Sequence, residues 1–148
     1  MPRTLSFIVL LLAALVLATG MAHLLEMPHK MELTQQSYGV VQYIYTGWAL
    51  LGIIQAGALV ATFLLYLRSH GSGRVLAALI CLMLTLVIFF MWIYPVNRTT
   101  QNWSVLPVNW EVLRKQWEYS HAANAALELT AYILLLSAIL KRSRRPRL

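Results

Sequence analysis

Four long apolar runs separated by short polar segments constrain this chain more than any other feature. Each run reaches about 20 residues, the length that an α-helix needs to cross the hydrocarbon core of a bilayer. The runs occupy residues 5–25, 40–67, 75–94 and 122–140. Of the 148 residues, 59% are hydrophobic and 11% are charged, whereas soluble domains carry about 25% charged residues. The sequence therefore predicts an all-α, integral membrane four-helix antiparallel bundle, formed by one domain of residues 1–148.

The net charge of +7 is distributed unevenly over the segments that connect these runs. With four spans, the N-terminus, the central loop and the C-terminal tail fall on one side of the membrane, and cationic residues concentrate on cytoplasmic segments. That side carries Arg3, Arg68, Arg74, Lys141, Arg142, Arg144, Arg145 and Arg147. The other side carries Lys30, Arg98, Arg114 and Lys115, offset by Glu26, Glu32, Glu111 and Glu118. We therefore predict an inner-membrane protein with both termini in the cytoplasm, whose basic tail contacts anionic lipid headgroups rather than nucleic acid.

Local signals predict where the helices begin and end. Residues 1–20 resemble a signal peptide, but the apolar stretch is longer than a signal-peptide core, which favours a retained first helix. Because proline disfavours the helical conformation in the residue before it, Pro28 is expected to end the first helix and Pro95 the third. Thr34 and Asn109 are candidate N-caps for the second and fourth helices. The predicted spans are residues 5–25, 40–67, 75–94 and 119–140.

Two histidine–glutamate pairs lie at the ends of two runs, on the predicted outer side. His23 and Glu26 are three residues apart, as are Glu118 and His121, and residues three apart share one face of a helix. Imidazole and carboxylate groups are ligands for zinc, iron and copper. Glu-x-x-His is also a spacing of di-iron helical bundles. The pattern supports three alternatives: a site for a Zn, Fe or Cu ion, a metal-free hydrogen-bonded site, or placement of these side chains at the membrane interface.

A polar stripe continues from the second pair into the fourth span. Asn124 and Glu128 follow His121 on nearly the same helix face, and Glu128 lies ~10 Å deeper than His121 at 1.5 Å per residue. Ionisable groups within a span usually face the bundle interior. The stripe therefore predicts one wall of a substrate cavity opening outward, which Tyr43 of the second helix could face. The alternative for Glu128 is a protonated carboxyl bonded to a neighbouring helix.

Four short segments resemble a bacterial family of small four-span membrane proteins, similar to the anthrone-oxygenase-like domain of unknown function. They are Met21-Ala-His-Leu-Leu-Glu-Met-Pro-His-Lys, Tyr45-Thr-Gly-Trp, Pro95-Val-Asn and Trp117-Glu-Tyr-Ser-His-Ala-Ala-Asn-Ala. The resemblance covers nearly the whole chain and implies a four-helix membrane bundle. It also implies oxygen-dependent oxidation of a polycyclic phenolic anthrone to a quinone, with no established organic cofactor. The chain departs from the family's His-x3-Arg pattern, because Ala125 stands four residues after His121.

The first functional hypothesis is a membrane oxidoreductase or oxygenase-like protein that acts on a small hydrophobic phenol or quinone. His121 would be the general base or a ligand, because imidazole exchanges a proton near neutral pH. Glu118 would orient His121, Glu128 would relay a proton, and Asn124 would belong to the same catalytic stripe. Arg114 is expected to pair with Glu118 or to guard the opening against cations. The predicted binding residues are Asn97, Arg114, Trp117 and Tyr43.

Two other functional classes are compatible with the sequence. One is a non-enzymatic accessory subunit, or a membrane protein that binds a metal or a lipid. The other is a small transporter whose pathway forms between copies of the chain. Gly52 with Ala56, and the stripe Ala14, Ala18 and Ala22, are small-residue surfaces of the kind that let membrane helices pack closely, which would allow a homo-oligomer.

Overall fold

A computed structural model of the protein describes residues 3–143. Within that range every regular element is helical, and no strand is present. The α-helices are α1 (Arg3–Lys30), α2 (Gln35–Gln42), α3 (Gly52–Arg68), α4 (Gly73–Ile88), α5 (Tyr94–Thr99) and α6 (Trp110–Ser143). Two 3₁₀ turns, Tyr43–Tyr45 and Trp48–Leu51, connect α2 to α3, and a π-helical turn, Phe89–Ile93, connects α4 to α5. Arg144, Arg145 and Arg147 of the predicted lipid-binding tail lie outside the described residues.

Four helical segments are long and apolar enough to cross a membrane. They are Arg3–Lys30, Trp48–Arg68, Gly73–Thr99 and Trp110–Lys141. Large apolar side chains cover their outer faces, and Phe7, Ile53 and Phe90 are each more than half exposed. Extensive exposed apolar surface is unfavourable in water and compatible with lipid. The prediction of an all-α fold with four candidate spans is confirmed, and these spans indicate a multi-pass membrane protein.

The four long helices pack around a shared apolar core. Helix α1 contacts α3 and α6, and α4 contacts the same two helices. The core is centred on Val9, Leu65, Leu82 and Leu135, each of which is at most 1% exposed. Small residues between these side chains allow the helices to approach closely. They are Ala13, Ala61, Ala78, Ala131 and Ala138.

A second buried cluster, rich in aromatic rings, lies where the end of α1 meets the beginning of α6. We call it the aromatic cluster. Its buried members are Tyr38, Ile93, Val96, Trp103, Trp110 and Trp117. Because these residues come from α2, the π turn, α5, the loop before α6 and α6 itself, the short elements cover this end of the bundle. The candidate site lies beside the aromatic cluster.

Pro28 does not end α1, contrary to the prediction. The helix continues to Lys30, and the backbone N–H of Met31 donates to the carbonyl of Met27 at 3.0 Å. A proline removes only its own N–H from the helical hydrogen bonds, so one more turn can follow when tertiary contacts hold it. That turn carries Lys30 into the interior, where the residue is 3% exposed.

The second predicted helix, residues 40–67, is interrupted rather than continuous. Gly47 adopts a left-handed conformation with φ +84° between the two 3₁₀ turns, a conformation that glycine reaches without steric cost. The helix that crosses the bundle therefore begins with the second 3₁₀ turn, and the candidate span is Trp48–Arg68. The interruption places Tyr45 and Trp48 side by side, with ring centroids 4.9 Å apart.

The third predicted helix also differs from expectation, because the helical path continues past Pro95 to Thr99. The N–H of Tyr94 donates to the carbonyl of Phe89, five residues earlier, which is the hydrogen bond of a π-helical turn. Pro95 then lies in the first turn of α5, where a missing N–H is tolerated. A π turn of this kind inserts an extra residue into the helical path and frequently occurs at functional sites.

The helix starts predicted at Thr34 and Asn109 agree with the structure. The side chain of Thr34 accepts a hydrogen bond from the backbone N–H of Ser37 and caps α2, as predicted. Helix α6 begins at Trp110, directly after Asn109, and runs without interruption to Ser143. It therefore starts well before the predicted fourth span and carries all residues of the polar stripe on one continuous helix.

We expect Leu135→Ala to destabilise the bundle by about 2–5 kcal/mol, because the substitution leaves a cavity in a fully packed core. Leu129→Ala on the same helix is the matched control, since Leu129 is 42% exposed and Leu135 is 0% exposed. Reversible unfolding in mixed micelles, titrated with a denaturing detergent, measures both changes in free energy. Equal losses for the two variants would contradict the described core.

Candidate functional site

A buried lysine lies between two carboxylates where α1 meets α6. Lys30 Nζ is 3.1 Å from Glu118 Oε1 and 3.7 Å from Glu26 Oε2. Lys30 is 3% exposed and Glu118 is 1% exposed, whereas the Glu26 side chain is 39% exposed. Because desolvating charged groups is costly, buried ions require close and well-bonded partners. The ammonium group and the two carboxylates provide such partners for one another.

Two tyrosines add hydrogen bonds to this group. Tyr38 OH donates to Glu118 Oε1 at 2.9 Å, and Tyr45 OH accepts from Lys30 Nζ at 2.7 Å and donates to Glu26 Oε2. Burial raises the pKa of both phenols, and the adjacent carboxylates raise it further. Both hydroxyls therefore stay protonated and act as donors. We call Glu26, Lys30, Tyr38, Tyr45 and Glu118 the lysine cluster.

Arg114 holds the turn that follows α1 and does not form an ion pair with Glu118, which was one of its two expected roles. Its Nη1 donates to the carbonyl of Leu33 at 2.9 Å and to that of Lys30 at 3.4 Å. The guanidinium carbon lies 4.5 Å from the ring centroid of Trp110. Carbonyl groups at the C-terminal end of a helix lack intrahelical hydrogen-bond partners, and Lys or Arg side chains often donate hydrogen bonds to them. Arg114 therefore contributes to the structure that supports the site.

The four side chains predicted as metal ligands do not converge into a ligand set. Glu26 and Glu118 both contact the ammonium group of Lys30, which occupies the position between them that a metal cation would need. His23 and His121 stack face to face. Across residues 3–143, no three His, Cys, Asp or Glu side chains are arranged to hold a metal ion. The arrangement favours the metal-free polar site among the three alternatives.

The two histidines form a stacked pair that is bordered by aromatic rings. Their ring centroids are 4.0 Å apart, with an angle of 22° between the planes. Tyr45 stacks on His23 at 4.5 Å. Trp117 contacts both imidazoles edge to face, 5.1 Å from His23 and 4.2 Å from His121. A border of this kind suits a flat aromatic ligand, because aromatic rings prefer such stacked and edge-to-face contacts.

A cavity of about 680 Å³ lies beside the histidine pair. Small-molecule sites in proteins have volumes of about 300–1,000 Å³ and are mostly apolar with a few placed polar groups. The cavity fits this description, because Leu15, Ile54, Phe89 and Trp103 line it together with both histidines. Its wall combines α1, α3, the π turn and α6 with the 3₁₀ turns before α3.

The structure separates the predicted polar stripe of α6 into two parts. His121, Asn124 and Glu128 line the cavity, whereas Glu118 bonds to Lys30 and Tyr38 in the lysine cluster. Glu118 therefore does not hold His121 in the hydrogen bond expected of an orienting carboxylate.

The predicted binding residues take different positions around the cavity. Asn97 and Trp117 both line it, and Trp117 Nε1 donates to Asn97 Oδ1 at 2.9 Å. Tyr43 also lines it and is 69% exposed, so its side chain lies at the rim. The hydrogen bond between Asn97 and Trp117 connects α5 to α6 and fixes the tryptophan against the histidine pair.

Three residues of the site were not identified from the sequence: Lys30, Tyr38 and Tyr45. Lys30 follows Glu26 by four residues, and this ion-pair spacing on a helix was an available signal. Tyr45 belongs to the segment Tyr45-Thr-Gly-Trp, but nothing in its local pattern indicates a contact with Glu26. Tyr38 reaches Glu118 across 80 positions of sequence, a pairing that only the tertiary fold produces.

Comparison with protein-family models, with curated proteins and with solved structures finds no match for this chain.

We expect Lys30→Met to destabilise the protein by about 3–5 kcal/mol, because it leaves the buried Glu118 carboxylate without its cation. The double variant Lys30→Met/Glu118→Gln removes both charges and should recover part of this loss. Thermal and detergent unfolding of the two single variants and the double variant give the coupling free energy. Lys115→Met is the control, because Lys115 is exposed on α6. Strictly additive losses would show that the pair is not coupled.

Proposed function

We propose that this protein binds a small, flat, hydrophobic phenol or quinone in the cavity and oxidises it with dioxygen. The observation that carries the proposal is the stacked pair His23 and His121 at the wall of a mostly apolar cavity between candidate membrane spans. A mostly apolar wall with a few polar groups matches the surface of a hydrophobic ring system. The imidazoles provide groups that can exchange a proton.

The chemistry proposed is the conversion of an anthrone-type methylene group to a quinone carbonyl. One oxygen atom of O₂ becomes the new carbonyl oxygen, and the second leaves as water with the two methylene hydrogens. His121 takes the first of these protons as a general base. Its Nε2 is buried and has no hydrogen-bond partner among the described residues, so it is free for a substrate.

Other residues hold the two histidines in position for this reaction. Trp117 packs against both histidines and is held by Asn97. The lysine cluster fixes the ends of α1 and α6, because Lys30 and Glu118 lie on different helices. Proper placement of a reacting group contributes strongly to rate, so rigid support around the histidines has a functional purpose.

Membership of the anthrone-oxygenase-like family is part of this proposal. The segments around His23, Trp117 and His121 support it, since they lie together at the site. Ala125 replaces the arginine of the family's His-x3-Arg pattern. It is 0% exposed, and its Cα is 3.2 Å from a Cβ built on Gly20. This close crossing of α1 and α6 leaves no room for an arginine, so we assign proton transfer to the histidines alone.

The second candidate function is a non-enzymatic protein that binds the same class of ligand, as an accessory subunit or a lipid- or quinone-binding module. One observation favours it: Glu118 bonds to Lys30 and Tyr38 rather than to His121. A general base commonly has an orienting partner. A binding protein has no such requirement.

We also propose an antiparallel bundle in the inner membrane, with both termini in the cytoplasm. The contact of the C-terminal end of α1 with the N-terminal end of α6 supports the antiparallel arrangement. Lys30 and Arg114 are both buried, which leaves Arg98 and Lys115 as the exposed cations at that end. Even when all four are counted, the segments at that end carry fewer Lys and Arg residues than those at the opposite end, which favours a cytoplasmic location of the opposite end.

Reporter fusions test the topology. A C-terminal fluorescent protein should fluoresce, and a C-terminal alkaline phosphatase should be inactive, because the reporter stays in the cytoplasm. A truncation fused to alkaline phosphatase after Val105, in the connection between α5 and α6, should be active in the periplasm. An active C-terminal phosphatase would contradict the proposed orientation.

Oxygen uptake and quinone formation test the oxidation. Purified protein in lipid nanodiscs should convert a tricyclic anthrone with one O₂ consumed per quinone formed, faster than empty nanodiscs. His121→Asn should lower the rate by about 100-fold or more, the contribution typical of a general base. His29→Asn is the control, because His29 is exposed at the end of α1.

The outcomes separate the two candidate functions. An unchanged rate in His121→Asn would overturn the assigned general base. Saturable binding of the anthrone without turnover above empty nanodiscs would favour the non-enzymatic candidate.

A further inference from the structure

The deep end of the cavity carries two buried oxygen atoms that have no hydrogen-bond partner among the described residues. They are Asn124 Oδ1 and Glu128 Oε2. Asn124 is 8% exposed and Glu128 is 9% exposed, and both residues line the cavity. Buried polar atoms are normally hydrogen-bonded, so each unpartnered one requires an explanation. A ligand that donates hydrogen bonds would provide one for both.

Gly20 on α1 makes the position of Glu128 possible. A Cβ atom at position 20 would lie 1.9 Å from Glu128 Oε2 and 3.0 Å from its carboxyl carbon. Any side chain at this position would therefore displace the carboxyl group. The glycine keeps space for the Glu128 carboxyl at the wall that both residues share.

Two polar side chains next to this end of the cavity are satisfied within the protein. Thr19 Oγ1 donates to the carbonyl of Val16 at 2.7 Å. Gln55 Nε2 donates to Thr85 Oγ1 at 2.9 Å. These groups have no need of a ligand, in contrast to Asn124 and Glu128.

The spacing along α6 sets the length of a molecule that could reach both ends. Glu128 follows His121 by seven residues, which corresponds to ~10 Å along the axis at 1.5 Å per residue. A linear tricyclic aromatic skeleton is about as long as this separation. One end of such a skeleton can lie beside the histidine pair while the other end reaches Glu128.

We propose that Asn124 and Glu128 form an acceptor subsite for a hydroxyl group on the terminal ring of a polycyclic phenol. This subsite rests on the proposed function. It adds the orientation of the bound ring system, which extends from the histidine pair to Glu128. The hydroxyl group donates its one hydrogen to one of the two oxygens at the deep end, and the opposite part of the ring system lies at His23 and His121. A phenol that carries a terminal hydroxyl is therefore preferred over its methyl ether, which has no hydrogen to donate.

Binding of a matched pair of fluorescent ligands tests this subsite. The probes are an anthracene with one hydroxyl group on a terminal ring and its methyl ether. Energy transfer from Trp48 and Trp117, which line the cavity, reports binding to the protein in nanodiscs, and empty nanodiscs correct for partition into lipid. The wild type should bind the hydroxyl compound about tenfold more tightly than the ether, as expected for a hydrogen bond to a carboxyl group.

Two variants remove the preference by different routes. Glu128→Met deletes the carboxyl group at similar side-chain length, and Gly20→Ala displaces it while leaving it in the chain. Each should bring the affinity ratio of hydroxyl compound to ether close to one. Thr130→Val is the control, because Thr130 lies on the same helix, is exposed and donates to the carbonyl of Ala126. The thermal transition of each variant verifies that it is folded.

The results distinguish the subsite from the proposed function. A tenfold preference in the wild type and in Thr130→Val, lost in either folded variant, supports the subsite. Equal affinities of the wild type for both compounds overturn the subsite and leave the proposed function standing. Tighter binding of an ammonium-bearing anthracene than of the hydroxyl compound also overturns it, in favour of a cation site. Binding of neither probe overturns the proposed function.

Discussion

The ion pair between Lys30 and Glu118 is the interaction on which the rest of this end of the bundle depends. It joins the last turn of α1 to the third turn of α6, and through Tyr38 and Tyr45 it also holds α2 and the 3₁₀ turn that follows. Because buried charges are costly to leave unpaired, these elements have one strongly preferred arrangement. This arrangement of the helices also determines the positions of the histidine pair and of the adjacent wall of the cavity.

The cavity results from two departures from regular helical structure. The left-handed Gly47 turns the chain between the 3₁₀ segments, so that Trp48 can contact His23. The π turn before Pro95 supplies Phe89 and Ile93 to the opposite wall. Continuous helices would pack along their full length, as they do around Leu82 and Leu135, and would leave less space between them.

Much of the helical architecture follows from the sequence, because hydrophobic length depends only on local composition. Four candidate spans, the cap at Thr34 and the stripe of His121, Asn124 and Glu128 that lines the cavity belong to this class. The exceptions are governed by tertiary contacts. Pro28 was expected to end α1, but the helix continues, and Lys30 at its end pairs with the buried Glu118 and the partly exposed Glu26. The partnership of Tyr38 with Glu118 likewise has no local signature.

The π turn has one further consequence, which concerns the phase of the helix after it. Each residue advances an α-helix by about 100° around its axis, so one additional residue in a turn rotates everything beyond it by that angle. Asn97 lies beyond the turn and meets the indole of Trp117. In a chain one residue shorter at this point, the helix would be more regular and would present a different side of α5 to the site. The number of residues in the π turn, rather than their chemistry, therefore determines how far α5 is rotated about the helix axis.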